Sequence, residues 1–185
     1  RLEAHHARHI VLDPVMVATS GAKLIDDDAI TALTERLFPL AEVITPNIPE
    51  TEVLLDLIAH RGASLDPAKW AEDTDRESTR IVSDTAMEDA GRTVSEHYGG
   101  HGVADASDLL YADGVATWIH GVRVDNPNTH GTGCTLSSAI ASNLAKGEAL
   151  PDAIRHAKDY LTGALGAQLN LGHGSGPMDH AWHWR

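Results

Sequence analysis

Twice in the first 59 residues a short apolar run is cut off by a proline and followed by a helical repeat, and that alternation narrows the folds open to the chain. His9 to Leu12 stops at Asp13-Pro14, where proline removes the backbone donor that a central strand needs. Past a loop from Val15 to Gly21, Asp26-Asp27-Asp28 can cap a helix with Ile30, Leu33, Leu37 and Leu40 on its apolar stripe and Pro39 near its end. Glu42 to Thr45 reads as a second strand closed by Pro46, and Pro49 suits the first turn of a helix running to about Ala59. Strand, helix, strand, helix predicts an α/β fold: a parallel sheet with helices on its faces. At 185 residues the chain makes one domain, able to bury roughly 70% of its unfolded surface without a disulfide.

The remainder is less regular. Residues 61–79 are polar and aperiodic and read as a surface insertion. Ser83 or Asp84 caps a helix from Thr85 to His97 with Met87, Ala90 and Val94 on its stripe. Between Gly99 and Asp108 only Val103 is strongly apolar, so no strand is expected to follow that helix. Leu109 to Tyr111, the turn pair Asp113-Gly114 and Val115 to Ile119 predict a hairpin, with His120-Gly121 turning it again into Val122 to Val124. A helix from about Thr135 to Lys146 places Leu136, Ala139, Ile140 and Leu144 on one side and stops at Gly147. Pro151 opens a last helix, with Ala153, Ile154, Ala157, Tyr160, Leu161 and Leu165 along its buried stripe, before a glycine-rich tail at 172–177.

Fourteen Lys and Arg against 27 Asp and Glu leave a net charge of −13, which excludes a general nucleic-acid binder, whose basic face must neutralise phosphates. Any phosphate site must be local. Cys134 is the only cysteine and cannot form an internal bridge, and no apolar run approaches 18 residues, so the reading is a cytoplasmic protein without a membrane partner.

Three places carry residues suited to chemistry. Gly131-Thr132-Gly133-Cys134 opens a helix: its glycines let backbone N–H groups approach an oxyanion, and the helix N-terminus adds partial positive charge. The same tetrapeptide is also an ordinary glycine turn into a core helix. Cys134 sits where a helix N-terminus lowers a thiol pKa, suiting a proton acceptor or an anion-hole member. Asn47-Ile48-Pro49-Glu50 places an amide and a carboxylate three apart on a first helical turn, fit either to hold a hydrated Mg²⁺ or to compensate the helix dipole. Asp13 ends the first strand, where open α/β sheets place ligands, and an Asp before Pro is equally a turn residue. The 12 histidines include His5, His6 and His9, and His180 and His183, at spacings a metal can use. No companion Cys or carboxylate pattern accompanies them, and Trp182 and Trp184 either pack back on the domain or mark a partner surface.

The runs Val11 to Gly21, Val43 to Glu52 and Asn128 to Ile140 together closely resemble the hydroxymethylpyrimidine/phosphomethylpyrimidine kinases of thiamine biosynthesis, members of the ribokinase-like superfamily. Residues 172–177 and His180 resemble that family's C-terminal signature. The resemblance implies a ribokinase-like three-layer sandwich whose mostly parallel sheet is incomplete here. It also implies ATP-dependent, Mg²⁺-assisted phosphorylation of a small pyrimidine alcohol and then of its monophosphate. Carried over by position, Gly131, Thr132, Gly133 and Cys134 form the catalytic anion hole, with Cys134 where many relatives place an Asp base. Asn47 and Glu50 become the metal-water pair, and Asp13, Thr45, Asn128 and His130 lie on the nucleotide.

Two departures qualify the likeness. The family carries a further N-terminal segment with a glycine-rich substrate loop, whereas this chain starts at Arg1; and the family pattern is an apolar strand ending in Lys-Gly-Gly-His, whereas here Tyr98 runs straight into Gly99-Gly100-His101. Half of the pyrimidine pocket and a phosphate-facing Lys are therefore expected to be missing. The alternatives are a pyridoxal or other vitamin kinase of the same superfamily and a non-catalytic, nucleotide-binding remnant. Unpaired sheet edges in such a chain are compatible with a homo-oligomer.

Overall fold

A computed structural model of the chain describes residues 1–17, 23–59, 79–99, 101–104, 107–126, 130–169, 171 and 176–184. Nearly all of the expected insertion at 61–79, and Asn128, lie outside them.

The chain runs β1 (Val11–Leu12), α1 (Asp27–Ala32), β2 (Val43–Ile44), α2 (Ile48–Ala59), α3 (Asp84–Tyr98), β3 (His101–Ala104), β4 (Ser107–Ala112), β5 (Val115–His120), α4 (Thr132–Ala145) and α5 (Leu150–Gly166). The strands form one sheet in the order β1-β2-β3-β4-β5. Val11 pairs with Val43 and Val43 with His101 in parallel, while β3, β4 and β5 follow antiparallel. The strand, helix, strand, helix alternation of the first 59 residues is thus observed. The β4–β5 turn is the expected Asp113-Gly114, at φ 51° and 78°, the positive pair that a tight hairpin needs.

The two residues of β2 show why the sheet is a middle layer. Successive strand residues face opposite sides, and both Val43 and Ile44 are fully buried. Ile44 joins Met16, Ile30, Phe38, Leu54 and Val94 in a core beneath α1, α2 and α3. Val43 joins Leu110, Ile140, Ile154 and Ala157 beneath α4 and α5. Helices therefore cover both faces.

Four sequence expectations are corrected. A strand does follow α3: His101–Ala104 has no alternating apolar pattern, but its backbone pairs with β2 on one side and β4 on the other. Val122 to Val124 is not a strand, and Val122 is exposed. The stripe beyond α1 shifts, because Leu33–Leu37 widens into a π turn and Phe38–Leu40 tightens into a 3₁₀ turn that includes Pro39. The Thr34 hydroxyl donates back to the Ile30 and Thr31 carbonyls at 3.0 and 3.2 Å, so Ile30, Thr34 and Phe38 face inward while Leu37 is exposed. In α5, finally, Lys158 is buried, whereas Tyr160, Leu161 and Leu165 are only half-buried. Its Nζ donates to Asp108 Oδ2 at 2.7 Å and to the Ile119 carbonyl at 3.1 Å, so a charge pair ties α5 to the hairpin.

Candidate active site at the start of α4

Helix α4 begins three residues earlier than its apolar repeat indicates. Gly131 is its N-cap, at φ 83° in the left-handed region where a side chain is disfavoured, and its carbonyl accepts the first helical bond from Thr135 N at 2.9 Å. The amides of Thr132, Gly133 and Cys134 therefore have no helical acceptor, and a glycine cap brings no side chain to supply one. They form a cluster of donors at the positive end of a 14-residue helix.

Asp13 faces this end from the tip of β1. A Cβ on Gly133 would stand 3.5 and 4.0 Å from its two carboxylate oxygens, so glycine keeps the gap between carboxylate and helix open. Burial pushes the Asp13 carboxyl up, and the hydrogen bond from the Cys134 thiol offsets part of that rise. The thiol itself is raised, first by desolvation and then by the Asp13 and Glu50 charges. This departs from the expectation of a lowered thiol: desolvation first, and then the Asp13 charge, hold the proton on Cys134, which donates a hydrogen bond to Asp13.

Glu50 is 2% exposed. Its Oε2 accepts from Asn47 N at 3.0 Å and its Oε1 from Met16 N at 3.1 Å, while Asn47 Oδ1 accepts from Glu50 N at 2.9 Å. Asn47 and Glu50 thus make a reciprocal capping box for α2, extended by one bond to the loop after β1. Burial raises the Glu50 carboxyl, the amides of Asn47 and Met16 oppose that, and the Asp13 charge adds to it. Asp13, Glu50 and Cys134 therefore share one electrostatic neighbourhood. Thr45 is buried and stays with the sheet, its amide donating to the Leu12 carbonyl at 3.0 Å.

A cleft of about 900 Å³ leads away from this point. It is lined by His130, Gly131 and Cys134, by Ser138 and Ser142 of α4 with its C-cap Lys146, by Tyr160 of α5, and by Met178, His180 and Trp182 of the tail. Tyr160 donates its hydroxyl to the His180 carbonyl at 3.1 Å, and the two rings stack with centroids 6.4 Å apart. Trp182 packs over Gly163, where any Cβ would overlap the indole ring. Of the two roles open to Trp182 in the sequence, packing back on the domain is the observed one. Lys146 and the Tyr160 wall escaped the sequence reading, although residues 134, 138, 142 and 146 repeat at the four-residue spacing of one helical face.

No helix among the described residues is long and apolar enough to cross a membrane. A model of the phosphomethylpyrimidine kinase family matches residues 1–179. The chain belongs to that family. A hydroxymethylpyrimidine/phosphomethylpyrimidine kinase of Haemophilus influenzae is 39% identical, covering 92% of this chain and 60% of the relative. Among solved structures, Bacillus subtilis pyridoxal kinase in complex with ADP has a TM-score of 0.75 at 28% identity, covering 99% of this chain and 64% of that one. Phosphomethylpyrimidine kinase of Clostridium difficile has a TM-score of 0.63 at 27% identity, covering 87% of this chain and 59% of that one. The ribokinase-like α/β fold implied by the sequence is the one these kinases share, and the chain spans less than two thirds of the length of each of the three.

Proposed function

We propose that the chain carries the nucleotide and phosphoryl-transfer side of a hydroxymethylpyrimidine/phosphomethylpyrimidine kinase, phosphorylating a small pyrimidine alcohol and then its monophosphate with ATP. The observation that carries this reading is the cluster of amides without helical acceptors at Thr132, Gly133 and Cys134, facing Asp13 across Gly133 beside a cleft that Gly131 and Cys134 line. Phosphoryl transfer asks little covalent chemistry of a protein. It asks for fixed donors where charge spreads over the transferred oxygens, and backbone N–H groups at a helix N-terminus are such donors.

The proton of the attacking hydroxyl needs an acceptor. Cys134 and Asp13 share a hydrogen bond and one proton, so the pair carries one negative charge and can take a second proton: the thiol gives its own to the carboxylate as it receives the hydroxyl's. His130 and the residues of the tail that line the cleft would flank the nucleotide in this reading; Thr45, buried against Leu12, would act on it only through the sheet, and Asn128, which lies outside the described residues, is assigned to it by the resemblance alone.

Asp13 and Glu50 fit a hydrated Mg²⁺ as a donor set. Both are oxygen ligands, and each raises the cost of the other's charge. Both Glu50 oxygens and Asn47 Oδ1 already accept from backbone amides, so Asp13, Glu50 and Asn47 would hold the ion only through its water shell. The bound ion supplies charge neutralisation to the phosphates.

The similarity to a pyridoxal kinase at TM-score 0.75 supports a second reading, a pyridoxal kinase of the same fold. A coupled assay offering hydroxymethylpyrimidine and pyridoxal side by side with MgATP separates the two. Turnover of the pyrimidine is expected, and turnover of pyridoxal alone would select the second reading. A chain that binds an ATP analogue but turns over neither is the non-catalytic alternative.

A further inference from the structure

Lys146, the C-cap of α4, lines the cleft together with Cys134, Ser138 and Ser142, at the far end of the helix from the amide cluster. Twelve residues of helix separate it from Cys134, a rise of about 18 Å. The floor between them carries only small side chains, so a long, flat ligand can lie along it.

The lysine is aimed by its neighbours. Its Nζ donates to Asn143 Oδ1 at 3.1 Å, and the buried Asn143 donates its Nδ2 to the Ala153 carbonyl of α5 at 3.1 Å. With Nδ2 held by α5, the amide can offer only Oδ1, and the ammonium is kept beside it. Asn143 and Lys146 both line the cleft, so the bond holds the ammonium at the cleft's edge. Among the described residues no carboxylate pairs with it; Glu148, the nearest acid in sequence, is engaged with His156 at 2.7 Å. An acidic chain thus holds a cation on a neutral acceptor at the end of its cleft, with two ammonium hydrogens available to a ligand.

We infer that Lys146, positioned by Asn143, recognises the base of the bound nucleotide, donating to a ring-nitrogen acceptor of a purine whose phosphates lie at Gly131 to Cys134. This rests on the nucleotide reading above. The test is titration calorimetry with magnesium ATP and with magnesium tripolyphosphate, which has the phosphates but no base, on the wild type and Lys146→Met. ATP binding is expected to weaken roughly tenfold in the variant, the effect of one charge-assisted hydrogen bond. Tripolyphosphate binding and the ligand-free melting temperature should stay unchanged. Equal ATP affinity in the two proteins would overturn the inference. So would a parallel loss for both ligands, which would make Lys146 a phosphate contact. A wild type that binds neither ligand would instead defeat the nucleotide reading, and this inference with it.

Discussion

A thiol in the first turn of a helix ordinarily loses its proton readily, and Cys134 does the reverse because it is desolvated and faces the Asp13 charge, with a smaller push from Glu50. The cost falls on the carboxylates as well. Asp13 binds its proton more tightly folded than unfolded, since burial raises it. Between the ordinary carboxylate pKa and the raised one the native state holds more protons, so stability falls as pH rises through that window and the whole penalty is present above it. Asp13→Asn removes the charge while keeping an oxygen acceptor for the thiol. Its melting temperature at neutral pH is expected to rise by on the order of 2 °C, read by calorimetry. Its rate of phosphoryl transfer is expected to drop about 100-fold, read from initial velocities. A variant that melts lower would show the Asp13 charge to be stabilising, contrary to the desolvated carboxylate described here.

At the scale of elements, what was legible in the sequence is what hydrophobic period and turn chemistry encode. The α3 stripe of Met87, Ala90 and Val94, the Ser83 cap and the Asp113-Gly114 hairpin are all found where the residues place them. The glycine turn into a helix was legible as well, although the four residues alone left an anion site and an ordinary helix start equally open. What escaped notice depends on partners distant in the chain. Strand β3 is held by ladders to β2 and β4, and no property of its own four residues announces it. Lys158 reads as a solvent-facing charge until Asp108, 50 residues away, is brought against it. That pair gives a sharp prediction. Lys158→Met takes the ammonium away from the buried Asp108 and should cost about 3 to 5 kcal/mol in urea denaturation. Adding Asp108→Leu should recover most of the loss, because a packed apolar pair of similar volume is often as stable as the ions it replaces. If the double variant is no better than the single, the ion pair contributes more than mutual neutralisation.

For the whole molecule, the balance of 14 basic against 27 acidic residues sets the terms on which a polyanion can bind. Long-range attraction is absent, so affinity must come from the amides of α4 and the enclosing cleft. A ligand that binds only the folded state stabilises it by about 2.7 kcal/mol at 100 times its dissociation constant. For a domain of this size that is a rise of roughly 5 to 10 °C in melting temperature. A thermal-shift series with magnesium ATP should reach it, and a flat series would leave the cleft without its proposed occupant. The grip of Glu50 on both the Met16 and Asn47 amides has a mechanical consequence. One carboxylate bridges the segments leaving β1 and β2, so a substitution that removes it would release both loops at once.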